Sequence, residues 1–250
     1  MNPIPVTLIE KLHHPDHNVR SSAVFELNHL DNPNKLSLLI QALRTEPDLN
    51  VREDITYALV SLGSEALSSL INLLKNQDAE VRHHAAHTLG KIGKADATEA
   101  LIDALQDTDP KVSAKAAYAL SQIGDAKAIP ALIRLLDDDN PDVKTSVMEA
   151  LETFGALAVP FLVNTMTHEK WQVREQVVEM FGSIQDKEAI PALITALQDE
   201  HWQIRFSAVT ALGYMRDKTV KDALEQVRDD PVPQINALAS KILKQNFSVL

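Results

Sequence analysis

The sequence predicts an all-α protein, an α-solenoid of about eight two-helix repeats, and three observations carry that prediction. The first is a period: Val19, Val51, Val81, Val112, Val143, Val173, Ile204 and Ile235 recur at intervals of 32, 30, 31, 31, 30, 31 and 31 residues. Unbroken spacing of that length marks units that stack on their neighbours. The second is that each interval holds two apolar segments of helical period with a polar turn between them. The third is that all seven glycines fall on two positions of the interval.

The first helix of a repeat is clearest from Ala128 to Asp138, where Ile129, Leu132, Ile133 and Leu136 form one stripe. Pro130, Pro160 and Pro191 recur in its first turn, where a missing N–H costs nothing. The turn that follows places Asp16, Asp48, Asp78, Asp109 and Asn140 three residues before the marker. They are expected to cap the second helix, at about 1 kcal/mol each. That helix starts near the marker, and Val81, Ala85, Leu89 and Ile92 trace its buried stripe. Gly63, Gly93, Gly124 and Gly155 lie twelve residues after the marker, where a positive φ ends a helix. Gly90, Gly182 and Gly213 lie nine after it, inside the helix. Glycine there costs about 1 kcal/mol of helix propensity, so these three predict close crossings with a neighbouring helix. The whole chain, 1–250, reads as one repeat domain with an N-terminal cap near 1–31 and a C-terminal cap near 217–250.

Composition narrows the function classes. The 250 residues carry 24 basic and 35 acidic side chains, a net charge of −11, with no basic arm in either half. Nucleic acid, which needs Lys and Arg concentrated along one face, is not an expected partner. There is no cysteine, hence no disulfide or thiolate metal site. The first residues lack the pattern of a signal peptide and no run reaches the ~20 apolar residues of a membrane span. A cytoplasmic protein is expected.

The pattern D-x-x-V-R-x-x-A-A-x-A-L-G-x-I-G followed by A-I-P-A-L resembles the HEAT-like repeat of the phycobilisome (bilin) lyase type. The resemblance covers essentially the whole chain and fits best at Ala79–Asp107 and Asp125–Gly155. It implies a right-handed superhelix with a concave face. It also implies that Arg20, Arg52, Arg82, Arg174 and Arg205, with the turn aspartates beside them, form a ladder linking each repeat to the next. Ser113, Lys144 and Asn236 interrupt that series.

If the alanine and leucine positions of the second helix face the core, residues two, three and six after the marker lie on the opposite side, one helical turn apart. On the resemblance this is the concave face. The candidate binding residues there are Phe25, Glu53, Asp54, Tyr57, His83, His84, His87 and Tyr118, an aromatic and histidine end, followed by Glu149, Glu175 and Glu179, an acidic end. His83 and His87 have the i,i+4 spacing of a chelating pair, with Glu53 and Asp54 at matching positions of the preceding repeat. Two imidazoles alone make a loose site, and His84 stands where the zinc-protease motif needs its glutamate. No metal is assigned. HEAT-like deoxyhypusine hydroxylase uses His-Glu pairs at the start of successive second helices. The counterparts here, Glu53-Asp54, His83-His84, Ala114-Lys115 and Glu175-Gln176, contain none, so that activity is not expected. Trp171 and Trp202, beside His168 and His201 in consecutive turns, are candidate partner anchors at the rim.

These features point to a non-catalytic scaffold that holds a protein or peptide, basic or amphipathic, on its concave face without a cofactor. The resemblance implies an alternative, a phycobilin lyase or bilin-binding chaperone acting on phycobiliproteins. Tyr57, His83, His87 and Tyr118 would then contact a linear tetrapyrrole.

Overall fold

A computed structural model of the chain describes residues 4–247, so the outermost residues of both expected caps lie outside it. Its contacts separate into two compact units, the first ending at Ala128 and the second beginning at Ile129. The first unit contains α1 (Val6–Leu12), α2 (His17–His29), α3 (Lys35–Thr45), α4 (Leu49–Leu62), α5 (Leu67–Leu73), α6 (Ala79–Ile92), α7 (Thr98–Ala104) and α8 (Pro110–Ile123). The second contains α9 (Ile129–Ile133), α10 (Pro141–Phe154), α11 (Val159–Thr165), α12 (Trp171–Ile184), α13 (Ile190–Ala196), α14 (Trp202–Met215), α15 (Lys221–Gln226) and α16 (Pro233–Phe247). Consecutive helices pair as hairpins, α1 with α2 through α15 with α16. Within each unit the even-numbered helices also pack in series, α2 on α4 on α6 on α8, and α10 on α12 on α14 on α16. No strand occurs among the described residues, and no helix there is long and apolar enough to cross a membrane.

The marker is the third residue of every even-numbered helix. From Val51 onward it is buried. Eight residues on, two turns further along the same face, Leu27, Leu59, Leu89 and Leu120 are fully inaccessible in the first unit, as are Leu151, Phe181 and Leu212 in the second. Each unit thus carries the apolar seam that the period anticipates.

The odd-numbered helices depart from expectation. The segment expected to be helical from Ala128 to Asp138 is α-helical only from Ile129 to Ile133. It is entered through a 3₁₀ turn at Ala126–Ala128 and left through i→i−3 bonds, Leu135 N–H to Leu132 O at 2.9 Å and Leu136 N–H to Ile133 O at 3.1 Å. Tighter winding brings residues three apart into line, and Leu132, Leu135 and Leu136 all reach the core while Ile133 is half-buried.

The capping residues behave as expected. Asp16, Asp48, Asp78, Asp109 and Asn140 each accept a backbone N–H of the following helix. The four end glycines have positive φ, Gly93 and Gly124 in the left-handed helical conformation, and Gln185 and Arg216 adopt that conformation at the equivalent ends of α12 and α14. A non-glycine residue there costs about 1–2 kcal/mol.

The arginine ladder exists, but its acceptors are not the capping aspartates. Each capping side chain is already engaged by its own helix. The guanidinium instead reaches a second carboxylate two residues earlier in the next repeat: Arg20 to Glu46 at 2.7 Å, Arg82 to Asp107 at 2.6 Å, Arg174 to Asp199 at 3.0 Å and Arg205 to Asp230 at 2.7 Å. The same arginines donate to carbonyls in the turn between the two helices of their own repeat, as Arg82 does to Asn76 O and Gln77 O. The acceptor carboxylates in turn take a turn N–H, as Asp230 takes that of Val232 at 2.8 Å. Where Asn76 replaces the carboxylate, Arg52 turns to Glu80 at 3.5 Å. Ser113, at the interrupted rung, bonds Leu105 O at 2.7 Å instead.

Breaking one partner of a buried pair leaves the other charge uncompensated, at a cost of about 3 kcal/mol. The Arg205 hydrogen bond holds the Asp230 carboxyl below its ordinary range. A depressed folded-state value makes this stabilisation complete above the unfolded carboxyl value and lost as pH falls through the folded one. Asp230→Asn, which keeps the Val232 turn bond, is expected to lower urea stability at pH 7 by about 3 kcal/mol and to lose less than wild type on acidification to pH 3. A parallel acid slope would refute the assignment.

The internal glycines mark the tight crossings. A Cβ on Gly90 would sit 2.8 Å from Ala119 Cα, against backbone, whereas one on Gly182 would come no nearer than 3.3 Å, to Ala211 Cβ. Gly90→Ala should therefore destabilise by about 1–3 kcal/mol through overpacking. Gly182→Ala should fall near neutral, because about 1 kcal/mol of recovered helix propensity offsets a small shift. Thermal melts of the two variants check the order.

Candidate functional site

The even-numbered helices place the expected residues on one face of each unit, and the two faces differ in how far their charges are already satisfied. In the first unit Phe25 is exposed on α2 and tilts against His29, ring centroids 4.3 Å apart. Glu53 on α4 is bridged to Lys91 of α6, and His87 Nε2 lies 3.5 Å from its other oxygen. The Lys91 hydrogen bond, ahead of the opposing effect of burial, leaves the Glu53 carboxyl below its ordinary value. Ser21 donates to Asp54. Tyr57 and Tyr118 are both exposed, yet each ring is covered by an ammonium, Lys91 at 4.5 Å and Lys115 at 5.0 Å. The aromatic and acidic side chains of this face therefore engage one another.

His84 is a correction. Expected on the open side, it is 9% exposed and belongs to the buried set. Three residues after the marker is 300° round the helix, within 60° of the core-facing direction, so that position borders the seam. His83 and His87 are half-buried. Burial, then the Lys115 charge, pushes His83 down to about 4, and the same two causes lower His87. Burial, then Arg52, lowers His84.

In the second unit Glu149 is exposed on α10, and Glu175 and Glu179 project from α12. Among the described residues neither Glu175 nor Glu179 is paired with a cation. Both carboxyls are raised above the ordinary value, Glu175 by burial and then Glu179, Glu179 by burial and then Glu152. Beside them runs a groove of three adjoining hollows of about 510, 580 and 620 Å³. The first two share Glu179, Phe206 and Ser207, and the first and third share Thr210 and Tyr214. The groove is open because Gly182, Ser183, Ser207 and Ala211 carry little side chain where α12 meets α14. Trp202, placed at a rim by its turn position, lines this groove with Glu175 and Phe206. Trp171 instead stacks on His201, ring centroids 5.3 Å apart at 16°.

Two aromatic groove residues fall outside the candidate set, Phe206 and Tyr214. Phe206 occupies the same repeat position as Glu53, His83 and Glu175. Tyr214 is ten residues after its marker, one turn beyond the sixth position, as is Lys91. That third column was the available signal.

The fold and groove define an all-α repeat protein with an open, partly apolar groove. The HEAT repeats family matches residues 5–77, 67–152 and 159–243, and the chain belongs to that family. Among curated proteins no sequence matches it. Among solved structures it is similar to importin beta, at 17% identity over 94% of this chain and 39% of that one, TM-score 0.58. It is also similar to human deoxyhypusine hydroxylase in complex with glycerol, at 22% identity over 95% and 94%, TM-score 0.42. A third is the CpcE–CpcF complex of phycocyanin lyase from Nostoc sp. PCC7120, at 25% over 89% and 92%, TM-score 0.43.

The two tryptophans report these surroundings separately. Trp202 is 49% exposed in the groove, while Trp171 is half-covered by His201. Acrylamide should quench Trp171→Phe, which retains only Trp202, more steeply than Trp202→Phe. Equal slopes would contradict the placement.

Proposed function

We propose that this chain is a non-catalytic binding scaffold whose second unit holds a basic amphipathic helix of a partner protein. One observation carries the reading: two carboxylates without cationic partners, Glu175 and Glu179, stand beside the exposed aromatic surface of Trp202, Phe206 and Tyr214. Half-desolvated unpaired carboxylates gain most from an incoming ammonium or guanidinium. Aromatic side chains supply contact area at small entropic cost. A helix with an apolar stripe flanked by Lys or Arg meets both demands, and the acidic field of a protein with net charge −11 hastens its approach. The first-unit face, paired within itself, offers a ligand less.

A linear tetrapyrrole is the other reading, resting on the family resemblance. Lys91 and Lys115 already occupy one face of the tyrosine rings that would stack on it.

The test uses a synthetic Leu/Lys amphipathic helix of about 18 residues, five turns, titrated with fluorescence of the Trp171→Phe protein as readout. Phe206→Ala should weaken binding at least about tenfold. Glu175→Gln/Glu179→Gln should slow association and flatten its salt dependence. Because both carboxyls are raised, they protonate earlier than ordinary ones, so affinity should fall from pH 7 to pH 5. Binding unchanged in these variants removes the groove. A visible-band shift with phycocyanobilin that His87→Ala abolishes puts the bilin reading in its place.

A further inference from the structure

We infer that Glu80, His83 and His84, on the first turns of α6, form a site for one divalent transition-metal ion. One donor atom from each lies within 4.8 Å of the other two. The i, i+3, i+4 spacing puts all three on one helical face. This is not the set that spacing alone suggested. His87 turns to Glu53 instead, and Glu80, one residue before the marker, takes its place.

The second observation is independent of the clustering. His84 is nine-tenths buried, and neither of its ring nitrogens has a hydrogen-bond partner. The buried Nδ1 of His83 has none either. An unsatisfied buried polar group costs about 1–3 kcal/mol, and a metal ion relieves part of that cost by taking the lone pair of one ring nitrogen. The two rings meet edge to face, centroids 5.2 Å apart at 88°. Burial holds His84 in place before any ion arrives, which is how a first shell is preorganised. Burial also keeps both imidazoles neutral at pH 7, the form that ligates.

Two imidazole nitrogens and one carboxylate oxygen suit dications of borderline softness, Zn²⁺, Co²⁺, Ni²⁺ or Cu²⁺, rather than Ca²⁺ or Mg²⁺, which prefer all-oxygen shells. Three protein ligands leave coordination positions to water. Two cations oppose binding: Arg52 lies 3.5 Å from Glu80, and Lys115 acts on His83. They hold the affinity below that of the same ligands without cations beside them.

The experiment is calorimetric titration of the chelator-treated, untagged full chain with Zn²⁺ alone. One ion per chain is expected. Glu80→Gln and His83→Gln should each weaken it at least about tenfold with unchanged helical circular dichroism. His84→Asn disturbs a packed position, so Glu80→Gln and His83→Gln carry the test. A His13→Asn/His14→Asn/His17→Asn variant, which removes the other histidine cluster, should bind as wild type. No heat at about 100 μM free Zn²⁺ overturns the site, as does binding that survives Glu80→Gln and His83→Gln, or binding lost in the triple variant. A peptide-groove failure leaves these outcomes untouched, since the groove lies in the other unit.

Discussion

A hairpin of two short helices has one apolar stripe too wide to bury on itself, and within each unit of this chain one hairpin covers it against the next. The register of that stacking is fixed where second helices follow one another. There an arginine at the fourth residue of one helix is clamped by the carboxylate of the following turn, and that carboxylate also fixes its own turn through a backbone N–H. One rung therefore sets two things, the distance to the neighbour and the entry angle of the neighbour's helix. The apolar seam supplies most of the stabilisation, being fully buried at Leu59, Leu89 and Leu120. The rungs decide that it stacks in one register.

With the seam committed to the core, the open face of each repeat is built from the columns two, six and ten residues after the marker. The two units use those columns differently. In the first, Glu53, Lys91, Tyr57 and His87 satisfy one another through an ion pair, a cation–π contact and a hydrogen bond. In the second, Glu175, Glu179, Phe206 and Tyr214 occupy the same columns without such closure. A charge met within the surface has little to gain from a newcomer, and one left unmet has more. Identical architecture thus yields opposite dispositions through substitution at a handful of exposed positions.

Most of the architecture was legible in the sequence because each signal has a local cause. A cap needs an acceptor at one residue, a helix end needs a permissive φ at one residue, and a crossing such as Gly90 against Ala119 needs a missing Cβ at one residue. The misreadings arose where the cause lay between repeats. The partner of Arg82 is Asp107, twenty-five residues on, while Asp78 and Asp109 are taken by their own helices. His84 borders the seam by a fraction of a turn, and spacing counted in whole residues blurs that angle. Tyr214 and Phe206 gain meaning only when Gly182 is seen to open space in front of them.

Gln185 and Arg216 hold a conformation that elsewhere in the chain is left to glycine, and both side chains line the groove. The polypeptide thus retains a polar lip at the cost of local backbone strain, about 1–2 kcal/mol at each place. Glycine at these two sites would make a sturdier protein and a blunter one. Selection for heat resistance alone would erode the edges of the groove before it touched the floor.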